Sequence, residues 1–175
     1  MQLGHVGLFV ADFELMLEFY RDTFAFVVTD ISRTERGSIA FLTTDPGSHH
    51  QLVLRNGRPP DTTSRPYINQ ISFRVDSLAT LRRVYSKLLR SPARDFDPIT
   101  HGTAWSVYFR DPEDNRIEAY ADTPWYITQP HRTPIDLSRP ESELYAETEA
   151  LCRSQPGFRP LAEWSAEVAR LVEAG

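Results

Sequence analysis

Gly4-His5-Val6-Gly7-Leu8-Phe9-Val10-Ala11-Asp12 and Asn69-Gln70-Ile71-Ser72-Phe73-Arg74-Val75-Asp76-Ser77 are two renderings of one pattern: a short apolar strand that runs into an acidic residue and then into a segment of helical period. After the first, Phe13, Met16, Leu17, Tyr20 and Phe24 fall on one stripe, and Asp12 is placed to accept a hydrogen bond from the first exposed amides of a helix. After the second, Ser77 is the capping residue and Leu78, Leu81, Val84, Tyr85 and Leu88 form the stripe. Runs rich in β-branched and aromatic residues follow each helix, at 26–31, 39–43 and 51–55 in the first copy and at 103–110 and 116–120 in the second. Both halves therefore read as βαβββ, with Gln51 in the last strand of the first copy set against Glu118 in the last strand of the second. Chance rarely reproduces strand, cap, helix stripe and terminal polar residue together, so the repeat decides the fold class. The expectation is an α+β fold in which two paired βαβββ modules curl into a curved mixed-sheet cup.

The remainder of the chain sets the limits. At 175 residues there is room for one full core and an appendage. The modules are expected at 1–57 and 66–121, joined by a proline-rich linker at 56–66, with an arm at 122–175. Six of the thirteen prolines lie in that arm, which also carries Trp125, Tyr126, Ile127, Ile135 and Leu137 and reads as an extended segment followed by short helices at 141–153 and 161–172. Its apolar faces call for a partner, either the module surface itself or, alternatively, a second subunit or the pocket mouth. A hydrophobic content of 41% with 25% charged residues is ordinary for a water-soluble globular chain, no apolar run reaches membrane-helix length, and the first residues enter a strand without a basic, apolar leader. A cytoplasmic protein with no membrane partner is the reading. The single cysteine, Cys152, excludes an internal disulfide and reads as a helix-face thiol. Net charge is −5, mostly in the arm, and no arginine cluster interleaves with aromatics, which argues against a nucleic-acid partner.

Chemistry enters through strand parity. Leu3, His5, Gly7 and Phe9 share a face; so do Ile68, Gln70, Ser72 and Arg74, and so do Arg116, Glu118 and Tyr120. If the modules pair, His5, Gln70 and Glu118 converge, and imidazole, amide oxygen and carboxylate together suit a divalent ion such as Fe, Mn, Zn, Ni or Co. A carboxylate within Ile117-Glu118-Ala119-Tyr120 has little reason to be buried without a cation. The plainer alternatives are a core histidine at 5, a backbone-bonded amide at 70, loop exposure for His101 and an exposed strand arginine at 74. His50 and Gln51 are adjacent, so both reach one face only across a bulge.

These segments resemble the vicinal oxygen chelate superfamily, which includes glyoxalase I, fosfomycin-resistance proteins and extradiol ring-cleaving dioxygenases. The likeness rests on His5-Val6-Gly7-Leu8-Phe9-Val10, Phe19-Tyr20-Arg21-Asp22, Asn69 to Asp76, and above all Tyr108-Phe109-Arg110-Asp111-Pro112-Glu113-Asp114-Asn115-Arg116-Ile117-Glu118. It spans roughly residues 1 to 121 and implies a metal held by His5, Gln70 and Glu118, with a homodimer the usual state. Three details resemble the extradiol dioxygenases in particular. His49-His50 is similar to a histidine pair whose second member serves as acid and base; Tyr108, ten residues before Glu118, is similar to a tyrosine that bonds the substrate oxygen; His101-Gly102-Thr103-Ala104-Trp105-Ser106 is similar to the lead-in of that strand. The departure is Gln70, which stands where those enzymes use a second histidine, whereas glyoxalase-type sites accept glutamine.

The resemblance thus implies a metal-dependent enzyme acting on a small, oxygenated, catechol-like compound. Extradiol cleavage with Fe(II) is the first reading, with His50 and Tyr108 catalytic and Arg74, Trp105, Phe73 and His101 binding the substrate. A glyoxalase-type isomerase or lyase using a non-redox ion (Mn, Zn, Ni or Co) is the second. A metal-free drug-binding protein, its cup lined by Trp105, Phe9, Phe73 and Tyr108, is the third.

Overall fold

The computed structural model describes residues 3–35, 37–58 and 68–174. Most of the expected linker, residues 59–66, lies outside them. The chain divides into two compact units: residues 1–69 with 87–94 and 110–115, and residues 70–86 with 95–109 and 116–175.

Unit 1 is built on a four-stranded sheet of β1 (Val6–Val10), β2 (Val27–Thr34), β3 (Gly37–Thr43) and β4 (Leu52–Asn56), in the order β1-β4-β3-β2. β1 lies parallel to β4, with Val6 opposite Leu52, while β2-β3 and β3-β4 are antiparallel. Helix α1 (Phe13–Phe24) starts where Asp12 accepts a bond from the Leu15 amide at 3.0 Å, the capping role its sequence position implied. Its stripe of Phe13, Met16, Leu17 and Tyr20 is buried, and Val10, Leu42, Leu52 and Leu54 of the sheet are buried with it.

Unit 2 repeats the topology. β5 (Ile71–Arg74), α2 (Leu78–Leu88), β6 (Arg94–Thr100), β7 (Ala104–Arg110) and β8 (Arg116–Asp122), with β10 (Thr133–Pro134) from the arm, give the order β10-β6-β7-β8-β5, and β5 is parallel to β8. The Ser77 hydroxyl caps α2 by accepting from the Thr80 amide at 3.2 Å. The first strand after the helix is β6, a run whose Asp95, Asp97 and Pro98 carry little strand propensity. Two neighbours, β7 and β10, make it a strand, with register rather than composition deciding.

Register also corrects one equivalence. Val6 pairs with Leu52 and Ile71 with Ile117, so Ser72 faces Glu118 just as Gly7 faces Val53. The counterpart of Glu118 is Val53, not Gln51. Gln51 precedes β4 and turns its amide oxygen to the Thr44 amide and hydroxyl, at 2.9 and 3.0 Å, bracing the β3-β4 turn.

The arm belongs to unit 2. β9 (Trp125–Tyr126) pairs with β11 (Arg159–Pro160), β10 (Thr133–Pro134) extends the main sheet beside β6, and α3 (Glu141–Arg153) and α4 (Leu161–Ala174) take the two expected helical positions. Ile127, Leu137, Leu144 and Cys152 are buried. Of the expected partners for the arm, the module surface is the one observed within this unit. Gly102, at φ +75°, makes the fit possible, because any Cβ there would collide with the Ile127 side chain. Burial pushes the Cys152 thiol up to about 11, as a packed and unreactive sulfur requires. Among the described residues no helix is long and apolar enough to cross a membrane.

Candidate functional site

Unit 2 gathers its polar residues on one face of β5, β7 and β8. Glu118 is 7% exposed, and its Oε2 accepts from the Gln70 amide at 2.9 Å and from the Ser72 hydroxyl at 2.6 Å. The Gln70 amide also lies 3.5 Å from the Tyr108 hydroxyl. Parity explains the company. Ser72 sits directly opposite Glu118 in the β5-β8 ladder, and Tyr108 lies on the face of β7 that carries Ala104 and Ser106.

His101 completes the group from the β6-β7 turn. Its Nδ1 lies 2.7 Å from the His131 carbonyl, which can only accept, so Nδ1 carries the proton. In the neutral ring Nε2 is therefore the lone-pair nitrogen, 3.1 Å from the Tyr108 hydroxyl and 3.8 Å from Glu118 Oε1. Burial, and then the neighbouring Glu118, push the Tyr108 hydroxyl up to about 12, so it stays a neutral donor throughout the physiological range. Arg116 lies over the Tyr108 ring, 4.6 Å from its centroid. Ser72, His101, Tyr108 and Glu118 line a cleft of about 370 Å³ together with Thr103, Tyr120 and Gln129.

Among the described residues no group of three or more His, Cys, Asp or Glu is placed to hold a metal ion, so a cation here would rest on Glu118 and neutral oxygen donors. Among the described residues no lysine or arginine is ion-paired with Glu118, whose bonds come from a neutral amide and a hydroxyl. Carboxylate oxygen, with the Gln70 carbonyl oxygen presented after a flip of its amide, is a hard-to-borderline pair suited to the ions named above.

Other expected residues are placed differently. Trp105 is wholly buried, donates its indole N–H to Thr148 Oγ1 at 2.8 Å and stacks edge-on against Tyr145. It is one strand position out of phase with Tyr108, so a regular strand sends it to the opposite face, under α3, and it does not line the cleft. Phe73 is out of phase with Ser72 in the same way and is half-buried. Arg74 shares the face of Ser72 but is ion-paired with Asp122.

In unit 1, His5 is exposed, its ring 4.3 Å from that of His50, and Phe41 lies edge-on to His50 at 5.1 Å. His49 Nε2 approaches Asp30 Oδ2 at 2.7 Å, and the two Nδ1 atoms of His49 and His50 are 2.9 Å apart. Partial desolvation, followed by the charges of His5 and His49, lowers the pKa of His50, favouring the neutral base. A second concavity of unit 1, about 400 Å³ beside α1, mixes Glu18 and Asp22 with Lys87 and Arg90 and contains no imidazole, so size alone does not mark the site. Sequence reasoning missed Gln129 and the His131 carbonyl, because a backbone acceptor and an arm residue leave no motif.

A module of β-strand, helix and three strands, repeated, with a buried carboxylate on the last strand of the second copy, defines the class. The family model described as the Glyoxalase/Bleomycin resistance protein/Dioxygenase superfamily matches residues 2–119, and the chain belongs to that superfamily. Biphenyl-2,3-diol 1,2-dioxygenase 3 of Rhodococcus globerulus is 28% identical over 125 residues, 69% of this chain and 63% of that protein, so the chain spans somewhat under two thirds of that relative. Biphenyl-2,3-diol 1,2-dioxygenase 2 of the same organism is 28% identical over 144 residues, 80% of this chain and 71% of that protein. Among solved structures, a glyoxylase/bleomycin resistance protein/dioxygenase domain from Frankia sp. EAN1pec has a TM-score of 0.60 at 26% identity, covering 70% of this chain and 93% of its own. The fosfomycin resistance protein FosX from Mesorhizobium loti shares the fold, with a TM-score of 0.56 at 23% identity over 70% of this chain and 92% of its own.

Proposed function

We propose that this chain is a metal-dependent enzyme of the superfamily that binds a small catechol-like compound and opens its ring by extradiol-type dioxygenation. The observation that carries the reading is the array of Glu118, Tyr108 and His101 on one face of unit 2, in a chain whose relatives are named as diol dioxygenases. His5, Gln70 and Glu118 are the ligands proposed from the sequence pattern, and Gln70 and Glu118 are the two that unit 2 holds together. Fe(II), when bound, supplies the joint activation of a chelated diol and of dioxygen.

The remaining work falls to side chains. Glu118 contributes the negative charge that offsets the cation, while Ser72 fixes its rotamer through the 2.6 Å bond. Tyr108 offers a hydroxyl that remains protonated and so donates to an oxygen of the substrate. His101 turns Nε2 to the Tyr108 hydroxyl at 3.1 Å, and once a diol oxygen accepts from the Tyr108 O–H instead, the neutral ring is a base for the second hydroxyl of the diol. In unit 1, His50 is the proposed acid and base for later proton transfers.

A second reading, non-redox isomerase or lyase chemistry, is favoured by Gln70 itself, since a neutral amide supports Fe(II) less well than imidazole does. One experiment separates the two. Protein loaded anaerobically with Fe(II), and separately with Mn(II), Zn(II), Ni(II) or Co(II), is mixed with biphenyl-2,3-diol or catechol while oxygen is followed at an electrode. Oxygen uptake matching diol loss, abolished in Glu118→Ala, supports dioxygenation; absence of uptake with every metal would end it.

A further inference from the structure

The segment that positions His101 comes from the arm, past residue 119, where the family match stops. β10 pairs with β6 with Thr133 opposite Thr100 and Pro134 opposite Ile99. Continuing that antiparallel register brings residue 132 opposite 101 and residue 131 opposite 102. The contacts agree: His131 offers its carbonyl to His101 Nδ1 at 2.7 Å. Gln129 then ties both ends of this contact. Its Nε2 donates to the His101 carbonyl at 2.8 Å, and its Oε1 accepts from the His131 amide at 3.1 Å. One side chain thus holds the backbone of the histidine and the backbone that the histidine bonds.

From this geometry we infer that Gln129 is a positioning residue, which locks His101 as the Nδ1–H tautomer and so aims its Nε2 lone pair at Tyr108 and the cleft. Imidazole has two neutral tautomers of similar energy in water, and the partner of one nitrogen chooses which is populated. A carbonyl held at Nδ1 selects the Nδ1–H form. Without Gln129, the His131 peptide keeps no side-chain tie to residue 101 and can rotate its carbonyl away, and the ring then samples both forms. Gln129 lies at the margin of the cleft, and the bonds it makes are to main chain, so a substitution there removes the tie without opening a core cavity. What such a tautomer does for catalysis rests on the proposed function; the tautomer itself does not.

The test is long-range ¹H–¹⁵N correlation NMR on full-length protein labelled with ¹⁵N-histidine, without metal, in alkaline buffer where imidazoles are neutral. His101 is assigned by the signal missing from His101→Gln. Wild type is expected to give a single Nδ1–H pattern at His101. Gln129→Ala is expected to give a mixed pattern there, with His5, His49 and His50 unmoved. Gln129→Glu keeps the acceptor for the His131 amide but loses the donor to the His101 carbonyl, so it is expected to give the mixed pattern as well. An unchanged His101 pattern in Gln129→Ala, or an Nε2–H pattern in wild type, would overturn the inference. If turnover is found, Gln129→Ala should lower kcat on the order of ten- to a hundredfold with KM unchanged, as loss of an orienting partner does elsewhere. If wild type turns over no diol with any metal, the proposed function fails, while the spectra still decide the role of Gln129.

Discussion

At the scale of single residues, Tyr108 shows how environment converts an ordinary side chain into a dedicated donor. Burial and Glu118 push its hydroxyl up to about 12, so its proton is retained across the neutral range. Tyr108→Phe therefore removes a hydrogen bond and no titration. Steady-state kinetics should show kcat/KM reduced roughly ten- to a hundredfold, the about 1.5–3 kcal/mol expected of a bond to a charged or charge-developing oxygen. Any alkaline fall in activity below pH 12 should persist in that variant; its disappearance would contradict the assignment. That Tyr108 and Glu118 face one cleft was legible in their spacing along two strands. His101 was harder to read, since its surroundings in sequence, Pro98 and Gly102, describe a loop, and what makes it a site residue is a carbonyl 30 positions away. Trp105 misled for a simpler reason. Its size and aromaticity suit a binding pocket equally well as a core, and only parity with Tyr108 separates the two.

Elements show the division between what pattern encodes and what pairing imposes. Both helices of the repeat begin at the capping residues that their sequences offered, because an N-cap is a local contact. Strand β6 could not be read locally; it forms because β7 and β10 flank it. The segment that most strongly marked the family, from Asp111 to Asn115, turns out to serve the β7-β8 turn. Asp111 is wholly buried and accepts from the Glu113 and Asn115 amides, the Asn115 side chain and the Tyr20 hydroxyl, at 3.0, 2.8, 2.8 and 2.9 Å. Burial outweighs these bonds and raises its carboxyl above the ordinary value of 3.8. Between 3.8 and that raised value the folded state holds more protons than the unfolded chain, so stability falls as pH rises through this window. Asp111→Asn should flatten that part of the curve in urea titrations at several pH values, while lowering the midpoint overall through the lost acceptor. The arm offers a second check: Thr148→Val leaves the Trp105 indole N–H buried without its partner and should cost about 1–3 kcal/mol in the same titrations.

For the molecule as a whole, the proposed cation site makes stability and function one measurement. An ion that binds only the folded protein raises its unfolding free energy by RT ln(1 + [L]/Kd), about 2.7 kcal/mol at a hundredfold excess over Kd. Differential scanning calorimetry of the metal-free protein with added Mn(II) or Co(II) should therefore show a rising Tm that saturates with concentration. Glu118→Gln keeps shape and hydrogen-bonding capacity but removes the charge that the cation needs, so the shift should vanish there. In the absence of metal that variant should be as stable as wild type or more so, because it no longer buries a carboxylate whose described partners are neutral donors and one imidazole at 3.8 Å. His5→Ala should weaken the shift if its imidazole is a ligand, and its own stability without metal should hardly change, since the side chain is exposed. The two substitutions thus separate ligand loss from damage to the fold. A Tm shift of equal size in wild type and Glu118→Gln would place the cation elsewhere and remove the basis for metal chemistry at this carboxylate.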